Sequence, residues 1–280
     1  MPYTYKRIMT VLNDSPQCSQ WTQAAAGFAK QWDASLTGIH VEPEVVDRNY
    51  ITADISKMLS STQQVLEDER SAKIRSRFNK TVKTFELDVN WRSCFGDAET
   101  VIRRAARFFD VVFVGVTRNA SERIYGEQGI VENIAIGSGR PVVLIPEGYS
   151  DQFDPKRVVL AWDGSREAVR AITDSLPLMK RADEVSILTI VKKDDRRPTS
   201  KHTPKELALY LSEQGIRTES IAIKAKGSYS GQLLLEQASK LRADLVVLGA
   251  YGHSRFREMV LGGVTRHVLA HSKIPLLMSH

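Results

Sequence analysis

Four glycines crowd one stretch near the C-terminal end of the chain. Residues 249–265 read GAYGHSRFREMVLGGVT, with glycines at 249, 252, 262 and 263. The stretch follows the apolar run DLVVLG and leads into the amphipathic run VTRHVLAHS, so it reads as a loop joining a strand to a helix. Glycine lets backbone N–H groups come close to an anion, and a helix N-terminus adds its dipole and unpaired donors. Phosphate binding is the chemistry such a loop invites. Glycines after a strand also make ordinary tight turns, and the glycines alone do not separate the two readings.

A second chemically useful residue is Asp163, which closes the apolar run VVLAW. In an open parallel sheet, ligands bind outside the carboxyl ends of the strands, where the strand order reverses. With an order of 3-2-1-4-5, the strand ending at Asp163 and the strand ending at Gly249 are neighbours, so an acid and a glycine loop would face one crevice. Asp163-Gly164 is equally a common turn dipeptide that caps the next helix. GxxG, nine residues and then Gly-(Ser/Thr) is the pattern of the ATP-binding universal stress proteins. Gly249, Gly252 and Gly262 match it, and the chain resembles that family over nearly its whole length. The resemblance implies Asp163 beside the adenosine and backbone contacts to adenine from Val191. It implies ribose and phosphates held by the glycine loop and the residues that follow it, Gly263, Val264 and Thr265. The implied ligand is ATP, with magnesium, or AMP. The sequence departs from the pattern at Gly263, where the family carries a hydroxyl; Thr265, a little further on, is an alternative donor.

The corresponding positions in the first half are Gly115, Arg118, Gln128 and Gly129. Two of the three matching glycines are gone and Arg118 is expected to fill the phosphate site, so no ATP is expected there. Asp14 keeps an acid near the first turn, within a cap-like Asn13-Asp14-Ser15. Other candidates point to ordinary structural roles. His267 and His271 are four apart and could meet a metal only with His253, without the glutamate of an HExxH helix. Arg255 and Arg257 could meet phosphates by charge. His40 is expected to pack against the next element. Cys18 and Cys94 stand apart, outside any CxxC pair, which fits a reducing compartment. No catalytic triad, paired carboxylates or P-loop lysine is recognisable, so no catalytic residue and no metal ligand is assigned. The reading is a binding protein. Slow ATP hydrolysis in the same cleft and a nucleotide-free scaffold are the alternatives.

The elements that would position these residues come as a repeat. Lys6-Arg7, IMTVL and Asn13-Asp14-Ser15 match Lys156-Arg157, VVLAW and Asp163-Gly164-Ser165. Asp110 with VVFVG matches Asp244 with LVVLG, and PVVLIP from Pro141 matches PLLMSH from Pro275. Short β-branched runs alternate with longer helical stretches, the pattern of βαβ units. Strands are expected near 6–12, 34–41, 85–91, 110–115 and 141–145, and near 157–162, 184–191, 218–224, 244–249 and 275–279. Second-half helices are expected near 166–180, 204–214, 229–242 and 258–272. Thr203, Pro204 and Glu206 spell a capping box, and Gly215 a helix stop. In the first half an extra stretch, 42–60, precedes a helix near 61–82. The polar segment EGYSDQFDP marks a boundary between domains at 1–148 and 154–280. The fold class is therefore α/β, two doubly wound parallel-sheet domains in tandem. The family resemblance adds an adenine nucleotide alpha hydrolase-like topology. It also implies that the final strands pair across an internal pseudo-dimer axis, with further homodimerisation open.

Composition narrows the partners. The chain has 42% hydrophobic and 26% charged residues and a net charge of +6. Residues 1–150 hold 18 of the 39 basic and 18 of the 33 acidic side chains, so the excess charge lies in the second half. Spread over 130 residues it makes no basic arm, and the charged stretch 192–203 reads as solvated loop; no nucleic-acid partner is expected. No apolar run is long enough for a membrane span and no signal core precedes the first strand, so the expected location is cytoplasmic, without a membrane partner.

Overall fold

The apolar runs of both halves become strands of one sheet. The computed structural model describes residues 4–42, 53–116, 130–192, 203–225, 230–250 and 263–280. The first half contributes β1 (Arg7–Leu12), β2 (Ser35–Glu42), β3 (Val89–Phe95), β4 (Val111–Val116) and β5 (Val142–Pro146). The second contributes β6 (Arg157–Ala161), β7 (Glu184–Lys192), β8 (Glu219–Ala225), β9 (Leu245–Gly249) and β10 (Leu276–Ser279). The helices are α1 (Cys18–Trp32), α2 (Ala53–Val82), α3 (Ala98–Ala106) and α4 (Ile130–Gly137), then α5 (Arg166–Met179), α6 (Pro204–Glu213), α7 (Ser230–Lys240) and α8 (Gly263–His271).

Spatial order is β3-β2-β1-β4-β5-β10-β9-β6-β7-β8. Each half thus runs 3-2-1-4-5, the order expected of a doubly wound domain. Neighbours within a half pair in parallel, while β5 and β10 pair antiparallel, with Leu277 opposite Val143. The two short apolar closing strands cover edges that would otherwise recruit other chains.

Two apolar layers flank the sheet. Residues from α1, α2, α5 and α6 pack on one face, around Phe28, Phe113, Phe153 and Leu160. Residues from α3, α4, α7 and α8 pack on the other, around Ile102, Val112, Leu234 and Val246. The central strands are therefore buried on both sides, which explains their unbroken β-branched runs. The basic pair and the later aspartate of each repeat prove to be partners. Asp110 Oδ2 accepts from the Lys6 and Arg7 backbone N–H groups at 2.7 and 2.9 Å, and Asp244 accepts from those of Lys156 and Arg157 at 3.0 and 2.8 Å. Each aspartate latches the start of the first strand to the start of the fourth.

The halves are joined by more than the strand pair. Phe153, in the connecting segment, is buried against Phe28 and Phe113. The Tyr5 hydroxyl donates to the Asp174 carbonyl at 2.7 Å, and the Arg181 guanidinium sits 4.8 Å over the Trp32 ring.

Local signals mostly held. Thr203 and Glu206 form the capping box reciprocally, and Gly215 takes φ +80° just past α6. Two expectations fail. The third strand begins at Val89 rather than near 85, because Lys83–Phe85 forms a 3-10 turn and Glu86 turns left-handed at φ 52°. The second helix begins at Ala53, so part of the extra stretch is helical. The charged loop at 193–202 lies outside the described residues.

Candidate functional site

At the carboxyl end of the second half's sheet, β6 lies beside β9, with Leu160 opposite Val247. Asp163 follows β6 and Gly249 ends β9, so the two sit at neighbouring strand ends. Asp163 is exposed, and its Oδ1 accepts from the Ser165 N–H at 3.0 Å. Gly164 adopts φ +75°, a left-handed conformation that a side chain would strain. Ser165 then caps α5 by accepting from the Ala168 N–H at 3.1 Å. Asp163 therefore shapes the turn and presents an exposed carboxylate at the mouth of the crevice.

Gly249 has a packing reason to be glycine. A Cβ there would stand 2.5 Å from the Ala168 nitrogen and 2.6 Å from the Glu167 carbonyl carbon, because the first turn of α5 lies directly on it. Gly263 is the opposite case. It is exposed at the first position of α8, and a Cβ would meet nothing within 4 Å. Val264 is half-buried, its carbonyl facing Gly231 of α7, and Thr265 is buried at 6% exposure. On the other side of β6, Ala161 pairs with Leu188, so β7 runs on past the end of its neighbour. Val191 stands on that overhang at 39% exposure. Gly252, Gly262, His253, Arg255 and Arg257 lie outside the described residues. The described residues of this half thus include an exposed carboxylate at Asp163, an overhanging strand end at Val191 and an exposed glycine, Gly263, opening the described part of α8.

The first half fills the same place with its own side chains. Counting from Arg7 and Arg157, which the two aspartate latches make equivalent, the counterpart of Asp163 is Asn13. Its Oδ1 makes the same turn, accepting from the Ser15 N–H at 3.2 Å. The acid is therefore not kept at that position, contrary to expectation. Asp14, one residue on, instead pairs with Arg70 of α2 at 2.7 Å. Arg77, two turns further along α2, donates from Nη1 to the carbonyls of Ser15 at 2.6 Å and Asp14 at 3.2 Å. Trp21 of α1, 2% exposed, donates from Nε1 to the Val11 carbonyl at 2.8 Å and lies against Gly115, where a Cβ would fall inside the indole ring. In the second half the residue at the Trp21 position is Ala171. Arg118, Gln128 and Gly129 lie outside the described residues.

Sequence reading missed Trp21 and the two arginines. The Trp21 signal was present, an aromatic in one copy opposite alanine in the other. The arginines come from a helix of 30 residues whose counterpart has 10, and no local pattern tells what such an extension covers.

Burial opposes ionisation of Asp14, but the hydrogen bond and charge of Arg70 outweigh it and hold the carboxyl below its usual range. His40, 3% exposed, is pushed below its usual value mainly by burial, and its Nδ1 lies 3.2 Å from the Leu12 carbonyl. The Cys18 thiol is pushed up to about 11 by burial, which removes it as a nucleophile. Cys94 is half-buried, and both cysteines are free. His267 and His271 stack at 4.2 Å on α8, with His271 Nδ1 2.9 Å from the His267 carbonyl. Among the described residues no three His, Cys, Asp or Glu side chains converge on a metal position, and no helix is long and apolar enough to cross a membrane.

The model for the universal stress protein family matches residues 155–280. A curated universal stress protein of Synechocystis sp. is 24% identical over 170 residues, which span 60% of this chain and 57% of that protein. The chain thus spans a little over half the length of this curated relative. The crystal structure of a universal stress protein from Archaeoglobus fulgidus superposes with a TM-score of 0.70 at 15% identity, covering 99% of this chain and 96% of its own. A universal stress protein from Pseudomonas aeruginosa, described as putative in its structure, gives 0.59 at 14% identity, covering 98% and 93%. At these identities the structural likeness speaks for the fold.

Proposed function

Because residues 155–280 match the model of the universal stress protein family, we propose that this chain is an adenine-nucleotide-binding regulatory protein of the stress response, taking one ATP or AMP in its second half. The observation that carries the reading is the contrast between two crevices of one topology. In the first half Trp21, Arg70 and Arg77 close the strand ends. In the second half Asp163, Val191 and Gly263, the first described residue of α8, are exposed, and a Cβ at Gly263 would meet nothing within 4 Å. A helix N-terminus of this kind favours a phosphate through its unpaired N–H groups and dipole. Asp163 suits a ribose hydroxyl as a charged acceptor, and the overhanging end of β7 at Val191 suits the edge of a base. The residues present therefore fit the group, apart from the hydroxyl that Gly263 lacks. Binding rather than turnover is the activity, and the two domains act as 1–148 without nucleotide and 154–280 with it.

Equilibrium dialysis with labelled ATP tests the asymmetry, since the proposal calls for one nucleotide per chain. Asp163→Asn keeps the acceptor for the Ser165 N–H but removes the charge, and should weaken binding about tenfold, the order of a charge-assisted hydrogen bond. Two nucleotides per chain, or unchanged affinity in the variant, would overturn it. Gly263 favours one second reading, a scaffold whose nucleotide site has decayed; absence of binding in the same dialysis would select it.

A further inference from the structure

The carboxyl end of β2 carries a polar cluster that nucleotide binding in the other half leaves unused. Glu42, the last residue of β2, is 4% exposed. Its Oε1 accepts from the Ser93 hydroxyl of β3 at 2.6 Å, while its Oε2 has neither solvent contact nor a hydrogen-bond partner. Ser93 in turn lies 3.3 Å from the Ser71 hydroxyl of α2. One turn before Ser71 on the same helix face is Glu67. Its Oε1 lies 3.5 Å from Arg70 Nη1, and its Oε2 is also enclosed without a partner. The Ser93–Ser71 contact thus sets the end of β2 against the face of α2 that carries Glu67.

The two guanidiniums nearby are already engaged. Arg70 makes its short contact with Asp14, and Arg77 is committed to the carbonyls of Ser15 and Asp14. Among the described residues, one carboxylate oxygen on Glu42 and one on Glu67 are thus enclosed without a donor. An enclosed carboxylate oxygen with no donor is costly, and the usual resolutions are pairing or a bound cation.

We propose that Glu42 Oε2 and Glu67 Oε2, supported by the Ser93 and Ser71 hydroxyls, hold a hard divalent cation in the first half of the molecule. The donors are all oxygen, which selects ions of the magnesium, calcium and manganese class over zinc or copper. Carboxylate and hydroxyl oxygens are the donors that such ions accept. The ion would tie the end of β2 to α2, the helix that covers the first-half crevice.

Manganese serves as the probe, added to the full chain without nucleotide and followed by loss of the free-ion electron paramagnetic resonance signal. The expected result is one manganese per chain, with affinity falling at least tenfold in Glu42→Gln and in Glu67→Gln. Glu42→Gln retains an acceptor for Ser93 and removes a buried charge, so its metal-free melting temperature should not fall. If that variant fails to fold, the partly exposed Glu67→Gln decides. Asp163→Asn, in the other half, should bind manganese normally. No binding to the wild-type chain at millimolar ion, unchanged affinity in Glu67→Gln, or a loss confined to Asp163→Asn would each refute the proposal.

Discussion

Replacing Gly263 by serine should strengthen nucleotide binding. Gly263 is the first residue of α8, is exposed, and offers a new Cβ open space with nothing within 4 Å. The substitution therefore brings a hydroxyl to the helix N-terminus without steric cost. A hydrogen bond from a hydroxyl to a charged phosphate contributes about 1.5–3 kcal/mol, with an exposed position favouring the lower end. At about 1.4 kcal/mol per decade this means roughly tenfold tighter binding. Serine is also a better helix residue than glycine by about 0.5 kcal/mol, so the melting temperature should rise slightly. Calorimetric titration of both proteins with ATP and with adenosine isolates the effect, since only ATP carries phosphates. The gain should appear with ATP and be absent with adenosine. An equal gain for both ligands, or none for ATP, would refute the placement of phosphate at this helix end.

Gly249→Ala should destabilise the fold by about 1–3 kcal/mol, the usual range for overpacking, because the new methyl would meet α5 backbone that cannot swing aside; urea denaturation measures it. Trp21→Ala should cost about 3–5 kcal/mol, yet give no nucleotide binding in the first half, because Arg70 and Arg77 still cover the strand end. Stability should also fall with acid in a window set by His40. Its folded pKa lies below the unfolded value of about 6.5, so the unfolded chain takes up the proton first. The contribution is intact above about pH 6.5 and is lost as pH falls from there toward the folded value. Melting curves between pH 7.5 and 5.5 should show this slope, and His40→Gln should flatten it.

The strands were legible because the repeat could be read twice, each copy checking the other, and their order is that of the doubly wound class to which the alternation points. The runs IMTVL and VVLAW, VVFVG and LVVLG, and the two proline-led closing strands fixed ten strands with one misplacement. That miss, at β3, arose where Leu87 and Val89 continue an apolar alternation across a backbone already turned by Glu86. Half of the candidate site was also legible. Asp163 and Gly249 lie at adjacent strand ends, as the order requires. What could not be read was the reason for each glycine. Gly249 is held against α5 and Gly263 stands in the open, a difference made by partners far away in sequence. The closed first-half crevice was similarly hidden, since it depends on an indole and two guanidiniums reaching from α1 and α2.

The central claim is that one nucleotide binds per chain, through the glycine loop of the second half. Calorimetry with ATP and magnesium, on the wild-type chain and on Gly252→Arg, tests it most directly. The account predicts saturable heat at one site per chain in the wild type and its loss in the variant. No saturable heat at millimolar nucleotide, two sites per chain, or undiminished binding in Gly252→Arg would contradict it.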